Sequence, residues 1–94
     1  MAKLTRDEVA VYTFAARYAM TRPTSALNVV VACMEKHIED FFDQDLKQII
    51  EASQTTVEFK KRFLHSPNVD THMRLQSMCK KELDRRGKSD LYRS

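Results

Sequence analysis

Seven side chains between Arg17 and Asn28 can donate hydrogen bonds, and no residue of this stretch is acidic. Guanidinium, hydroxyl and amide groups without a neighbouring carboxylate suit an anionic ligand such as phosphate. The stretch therefore has the composition of a candidate anion-binding site. Its donors are Arg17, Tyr18, Thr21, Arg22, Thr24, Ser25 and Asn28.

Pro23 separates two helical patterns within this stretch. Proline disfavours the α conformation at the preceding Arg22 and has no amide proton to donate, so the chain should turn here. Thr24 or Ser25 can then cap the next helix, which leaves free backbone amides and the positive end of the helix dipole beside Arg22. These are the components of an anion site. On spacing alone, an ordinary connection between helices with solvated arginines is the simpler interpretation.

Two pairs of cysteine and histidine could share helix faces. Cys33 and His37 are four residues apart, and His72 and Cys79 are seven apart. Facing helices could join them in a zinc site, but neither pair has the short C-x-x-C spacing of structural zinc modules. Half-buried thiols and surface histidines are the simpler interpretation, so we expect neither a metal nor another cofactor.

The sequence offers little for catalysis. A general acid–base pair among its clustered carboxylates would need a pocket that nothing in the sequence indicates. Gly87 is the only glycine, which excludes a glycine-rich phosphate loop, and no oxyanion loop accompanies the cysteines and histidines. We therefore predict a binding protein and not an enzyme. The clustered carboxylates are Glu39, Asp40, Asp43 and Asp45.

The strongest run of positive charge, Lys60, Lys61 and Arg62, is flanked by Phe59 and Phe63. Cations and an aromatic ring could bind nucleic acid through phosphates and stacking. Phenylalanines four residues apart are more simply an inward-facing pair on an amphipathic turn, with the cations solvated on the other side. Nucleic acid is therefore a disfavoured partner.

Length and composition predict a single helical domain over residues 1–94. Ninety-four residues can build one modest core but not a core and a separate catalytic module. One Gly and two Pro offer few turns for a β-fold, so we predict an all-α hairpin with additional C-terminal helices. No apolar run approaches the roughly 18 residues of a membrane span, and the N-terminus lacks a signal-peptide pattern. We therefore expect a cytoplasmic protein without a membrane partner.

Charge is distributed unevenly along the chain. Residues 1–50 carry six Lys/Arg against seven Asp/Glu, a net charge of −1, and residues 51–94 carry ten against six, a net charge of +4. A basic second half permits an anionic partner without requiring one. The two cysteines are expected to be free thiols in a cytoplasmic protein.

Two helices are predicted before residue 43. The first should run from Arg6 to Met20, because Thr5 and Glu8 form a capping box, and its apolar residues cover most of its circumference. The second, 25–42, has a seam at three- and four-residue spacing and further apolar residues beside it. Both surpluses suggest contact with another copy of the protein, although the second helix fits the centre of its own core equally well. The seam comprises Leu27, Val30, Met34, Ile38 and Phe41.

Shorter helices are predicted in the second half. Asp43 should cap a helix over 44–52, and a break at 53–56 should precede a turn or two opened by Thr55 and Glu58. The last helix should run over 67–86 and stop at Gly87. The tail is expected to dock through Leu91 and Tyr92. Core positions are predicted at Leu46, Ile49, Ile50, Val69, Met73, Met78, Cys79 and Leu83.

Residues 9–42 resemble the helical hairpin of small bacteriophage immune-evasion proteins, the anti-CBASS cyclic-nucleotide sponges and the related anti-Thoeris sponges. The resemblance lies in an aromatic helix, the motif Y-A-x-x-R-x-T-x-A, and an apolar V-V-V-A helix. It implies a compact helical homo-oligomer, often a hexamer, that sequesters cyclic di- or trinucleotides in the host cytoplasm without cleaving them. The motif comprises Tyr18, Ala19, Arg22, Thr24 and Ala26.

The resemblance also implies roles for individual residues. In that family a basic residue and a threonine near the start of the long helix contact phosphates, and an aromatic ring stacks on bases. Arg22 and Thr24 would accordingly hold phosphate, and Tyr18 or Tyr12 would stack. The predicted ligand-binding residues are Tyr12, Tyr18, Arg22, Thr24, Ser25 and Asn28.

The chemistry of a cyclic dinucleotide agrees with this donor-rich stretch. Two phosphodiester charges and two flat bases suit cations, hydroxyls, helix amides and an aromatic ring. A two-fold interface between copies would supply each of these groups twice. The alternative is a small helical module that binds a host protein as an inhibitor or adaptor.

Overall fold

The computed structural model of the chain describes residues 3–20, 25–65 and 68–93. This part of the chain is all-helical, as predicted, and contains four α-helices. None of these helices is both long enough and apolar enough to cross a membrane. The helices are α1 (Arg6–Ala19), α2 (Ser25–Lys36), α3 (Asp43–Phe63) and α4 (Asp70–Arg85).

Helix α1 begins at the predicted capping box. The Thr5 hydroxyl accepts the amide proton of Glu8, and the Glu8 carboxylate accepts that of Thr5. These two bonds satisfy amides that would otherwise lack a partner at the helix start. The helix ends at Ala19 with Met20 as its C-cap, so both predicted ends are correct to within one residue.

Helix α2 is shorter than predicted, because a 3₁₀ helix at Ile38–Asp40 replaces its last turn. The predicted seam is nevertheless confirmed. Leu27, Met34 and Phe41 are buried in the core, and Val30 and Ile38 are half-buried against it.

Helix α3 runs unbroken through 53–56, so the predicted break and the Thr55–Glu58 capping box are both wrong. The hydroxyls of this segment have helical or long-range acceptors. Ser53 donates to the His72 carbonyl at 3.0 Å, and Thr55 and Thr56 donate to carbonyls one turn earlier. Asp43 is likewise no cap, because its carboxylate accepts a bond from Arg86 instead.

Helix α4 starts at Asp70, and the predicted start at Ser66–Pro67 falls outside the described residues. Gly87 ends the helix as predicted, with a φ of 74°. The Lys88 amide donates to the Leu83 carbonyl at 2.8 Å and the Gly87 amide donates to the Asp84 carbonyl at 3.0 Å, which is the Schellman pattern.

The face of α4 that packs into the core differs in part from the predicted face. Cys79 and Leu83 are buried as expected, and Val69 and Met78 are half-buried. Met73 is exposed, which contradicts its assignment to the core, whereas His72 and Leu75 are buried. The predicted docking of the tail is confirmed, because Leu91 and Tyr92 pack against the core and the Tyr92 hydroxyl donates to Asp84.

The helices pack so that α1 and α3 lie side by side and point the same way. Arg6 and Val9, early in α1, share a groove with Asp43 at the start of α3. Tyr18, late in α1, lines a second groove with Thr55, more than three turns into α3. Helix α4 packs mainly on α3 and also on α2. The predicted core residues Leu46, Ile49 and Ile50 are buried where these helices meet.

Candidate functional site

An open groove of about 610 Å³ lies between the C-terminal half of α1 and the middle of α3. This volume is within the range of small-molecule sites, which is roughly 300–1,000 Å³. The α1 residues of the lining lie in the last two turns of that helix. Its lining residues are Phe14, Arg17, Tyr18, Gln48, Glu51, Ala52, Thr55 and Thr56.

Two aromatic rings form the α1 wall of this groove. Phe14 and Tyr18 are one turn apart, their ring centroids are 6.3 Å apart, and their planes differ by only 14°. Both side chains are more than half exposed. A flat ligand such as a nucleobase can therefore reach the faces or edges of these rings from the groove.

Arg17 is the only cation of the groove lining. Its side chain is exposed and forms no ion pair with an acidic side chain of the described residues. The carboxylate of Glu51, the acid of the lining, lies 4.0 Å from the Lys47 ammonium on the preceding turn of α3. The Arg17 guanidinium is therefore free to bind an anionic group that enters the groove.

The α3 wall contributes one amide and two hydroxyls. Thr55 and Thr56 donate their hydroxyl protons to the carbonyls of Glu51 and Ala52, at 3.0 and 2.9 Å, so their oxygens remain as acceptors. Gln48 can donate or accept. On the α3 wall, Gln48 is consequently the side chain that can donate to an anion.

The structure separates the predicted ligand-binding residues. Tyr18 lines the groove, but Tyr12 lies about 120° away around α1, half-buried with its ring 6.5 Å from that of Phe41. Asn28 accepts a bond from the Thr71 hydroxyl at 2.6 Å and thereby connects α2 to α4. Arg22 and Thr24 lie outside the described residues, and Ser25 is the first residue of α2.

A histidine of α4 and a lysine of α3 interact near the C-terminal end of α1. The buried ring of His72 bonds through Nε2 to the Met20 carbonyl oxygen at 3.4 Å. Burial lowers the pKa of His72, the bond to Met20 opposes this effect, and the nearby cation of Lys60 lowers the pKa further. Lys60 thus acts on the buried ring that bonds to the last residue before segment 21–24.

The aromatic pair beside this lysine is on the surface, which contradicts the predicted inward orientation. Phe59 and Phe63 are 60% and 64% exposed, and their ring centroids are 4.8 Å apart. The buried side of α3 faces the other way and is formed by residues such as Ile50 and Val57. Thr55, Phe59 and Phe63 follow one another at four-residue spacing, so the α3 wall of the groove continues into this pair.

The cysteines and histidines are not brought together. Within residues 3–20, 25–65 and 68–93, no three His, Cys, Asp or Glu side chains are arranged to hold a metal ion. His37 lies 3.6 Å from Asp40, and Cys33 is half-buried. Cys79 is fully buried, which raises its pKa to about 12, and His72 is buried and not on the surface as predicted.

Sequence reasoning missed Phe14, Gln48 and Thr56 as groove residues. All three depend on α1 and α3 lying side by side, which no local pattern specifies. The spacing of Phe14 and Tyr18, four residues apart, was the signal in the sequence that could have located the groove. Two large rings on one helix face form an apolar surface that a ligand or a partner can cover. No protein-family profile, curated protein or solved structure shows significant similarity to this chain.

Proposed function

We propose that this protein sequesters cyclic di- or trinucleotides without cleaving them, as a phage-type immune-evasion sponge that acts as a homo-oligomer in the host cytoplasm. The observation that supports the proposal most is the placement of Tyr18 and Arg17 in one open groove. An aromatic ring beside an unpaired guanidinium matches the two chemical parts of a nucleotide, a flat base and a phosphodiester.

The groove residues of α1 also come just before, in the sequence, the segment that is assigned to phosphate binding. Arg17 precedes Arg22 by five residues. Lys60 lies near enough to the His72 ring to lower its pKa, and this ring bonds to the Met20 carbonyl. A ligand in the groove would therefore lie near Arg17, and Lys60 adds positive charge on α3 one turn beyond Thr56 of the lining. The nearest carboxylate of the lining, Glu51, is paired with Lys47, which reduces its repulsion of an anion.

The composition of the groove lining supports the proposal that the ligand is sequestered without chemistry. The groove lining contains no histidine or cysteine, and its one carboxylate lies beside a lysine. Hydrolysis of a phosphodiester requires a positioned base or metal to activate water. The ligand should therefore be held and released intact.

Isothermal titration calorimetry against a panel of cyclic di- and trinucleotides tests the proposal directly. We expect saturable binding of at least one of them, and chromatography of the released ligand should recover it unchanged. Flat titrations across the panel with a folded protein would contradict the proposal, and recovery of a linear product would contradict its non-catalytic part.

Substitution of Arg17 tests whether the ligand binds in the groove. Arg17→Ala should weaken binding by about tenfold or more, because it removes a charge-assisted hydrogen bond, and Arg22→Ala should also weaken it. Arg74→Ala is the matched control, since Arg74 is an exposed arginine of α4 that pairs with Glu35 far from the groove. Equal effects of Arg17→Ala and Arg74→Ala would exclude the groove as the binding site.

The surface at the end of α3 favours a second function, the binding of an acidic segment of another protein. Phe59 and Phe63 are exposed between cations, and Arg62 lies over the Phe63 ring at 5.9 Å. No acidic side chain of the described residues pairs with Lys60, Lys61 or Arg62. An apolar surface with an unpaired cationic rim is complementary to apolar residues flanked by carboxylates.

Two double variants distinguish this partner from nucleic acid. A protein partner should be lost with Phe59→Ser/Phe63→Ser and also with Lys60→Glu/Lys61→Glu, but retained with Arg17→Ala. Binding of a DNA or RNA probe that falls steeply with salt and depends on the lysines would assign the surface to nucleic acid instead.

A further inference from the structure

Helix α1 carries a second apolar seam on the side opposite its buried face. Val11, Phe14 and Tyr18 are 65%, 71% and 54% exposed, and their spacing of three and four residues places them within one narrow strip of the helix. The residues that α1 buries in the core lie on the far side. They are Val9, Thr13, Ala16 and Ala19.

We propose that this seam packs against the same seam of a second copy of the chain, with the two α1 helices antiparallel about a two-fold axis. The seam is defined as Asp7, Val11, Phe14 and Tyr18, which alternate at four-, three- and four-residue steps like the contact positions of packed helices. Its centre falls between Val11 and Phe14. An antiparallel partner therefore places each Val11 opposite the other chain's Phe14.

The charged residues at the two ends of the seam favour antiparallel over parallel packing of the two α1 helices. Asp7 lies at the N-terminal end of the seam, and Arg17 borders its C-terminal end. Antiparallel packing brings the Asp7 of each chain to Tyr18 and Arg17 of the other, whereas parallel packing brings the two Asp7 carboxylates together. The helix dipoles also oppose each other favourably only in the antiparallel pair.

The apolar area of the seam alone is smaller than a specific interface, which sets the minimum extent of the contact between the two copies. Given their exposed fractions, the three apolar side chains offer roughly 350 Å² per chain, or roughly 700 Å² for two copies. A specific interface requires about 1,000 Å² in total. The residues flanking the seam, such as Ala10 and Arg17, must therefore also be covered.

The pairing would also add a wall to the groove. Phe14 and Tyr18 belong to both surfaces, while Arg17 lies toward α3 and Val11 lies away from it. A second α1 on the seam would narrow the open side of the groove next to the aromatic rings. The inference deepens the proposed homo-oligomer but does not rest on ligand binding, because its tests use the protein alone.

Sedimentation velocity of the protein without ligand is the first test. We expect a mass of at least twice the 11.0 kDa of the chain at micromolar concentration. Val11→Glu should reduce this mass at least twofold without affecting the fold, because the side chain is exposed. Met73→Glu is the matched control, since Met73 is 47% exposed on α4 and its substitution should leave the mass unchanged. A monomeric wild-type protein, or equal effects of the two variants, would overturn the proposal.

Cysteine cross-linking tests the direction of the helices. In a Cys33→Ser background, chains with Asp7→Cys should form a disulfide with chains carrying Tyr18→Cys when the two are mixed and then oxidised. Each variant alone should not cross-link, because antiparallel packing separates the two copies of residue 7 by about 16 Å along the helix. Cross-linking of the Asp7→Cys chain alone would overturn the antiparallel arrangement.

Discussion

The ring of His72, buried at the N-terminal end of α4, donates from Nε2 to the carbonyl oxygen of Met20 at 3.4 Å. This bond joins the last turn of α1 to α4. Nδ1 of the same ring is buried and has no hydrogen-bond partner among the described residues. The neutral ring fits this environment, whereas a second proton would be placed on an atom without an acceptor.

The folded state should therefore lose stability as the solution is acidified below about pH 6.5. Because burial lowers the pKa of His72 from 6.5, the unfolded chain takes up a proton that the folded chain resists, and the free energy of unfolding falls with pH. The lowered pKa values of Glu8, Glu82 and Asp84 act at lower pH, below their ordinary values of 4.5 and 3.8. Urea unfolding between pH 7.5 and 5.0 measures the effect.

Two histidine variants test whether His72 causes the loss of stability at low pH. His72→Gln should flatten the pH profile between 7.5 and 5.0, and the exposed His65→Gln should leave its slope unchanged. A slope that persists in His72→Gln would show that another group takes up the proton.

Glu82 is the most heavily bonded carboxylate of the described residues. Its side chain is 6% exposed and accepts from Arg85 at 2.9 and 2.5 Å and from Arg86 at 2.8 Å. Glu82→Gln should lower the free energy of unfolding by about 2 kcal/mol, because the half-buried Arg86 loses a charged acceptor. Glu35→Gln, in the exposed pair with Arg74, should cost less than about 1 kcal/mol. Chemical denaturation compares them, and equal losses would show that burial does not strengthen the Glu82 network.

The elements predicted correctly are those encoded within a few neighbouring residues. The Thr5–Glu8 capping box and the stop at Gly87 require only local backbone bonds, and both are present. The break predicted at 53–56 is wrong because the polar residues there find acceptors after folding. Ser53 bonds to His72, nineteen residues away, and no local pattern reveals that acceptor.

The site was less predictable because it depends on how helices are arranged. Tyr18 could be selected as an exposed ring at a helix end, but Gln48 reaches the groove only because α3 runs beside α1. The four-residue spacing of Phe59 and Phe63 correctly placed both rings on one face of a helix. The prediction that this face is buried was wrong. Periodicity defines a stripe, and the packing of α4 decides which stripe of α3 is covered.

Gly87 should be the residue at which a single methyl group strains the backbone. Its φ of 74° is in the left-handed region, and a Cβ at this position would meet no atom within 4 Å. Gly87→Ala should therefore cost about 1 kcal/mol through backbone strain alone. Gly87→Asn should cost less, because asparagine tolerates this conformation. Thermal unfolding measures both changes, and an Asn variant no better than the Ala variant would contradict a purely conformational origin.

The exposed positions of Phe59 and Phe63 predict a small stability effect for a large loss of apolar volume. Because water already reaches most of each ring, Phe59→Ser/Phe63→Ser should change the free energy of unfolding by less than about 1 kcal/mol. Ile49→Ala removes fewer atoms from the same helix, yet it should cost about 3 kcal/mol, since Ile49 is fully buried and its loss leaves a cavity. Urea denaturation monitored by circular dichroism measures both. If the double Phe variant proved as unstable as Ile49→Ala, the rings would have to be covered in solution, either by the chain itself or by a second copy. Repeating the measurement at two protein concentrations separates these cases, because only coverage by a second copy makes the stability depend on concentration.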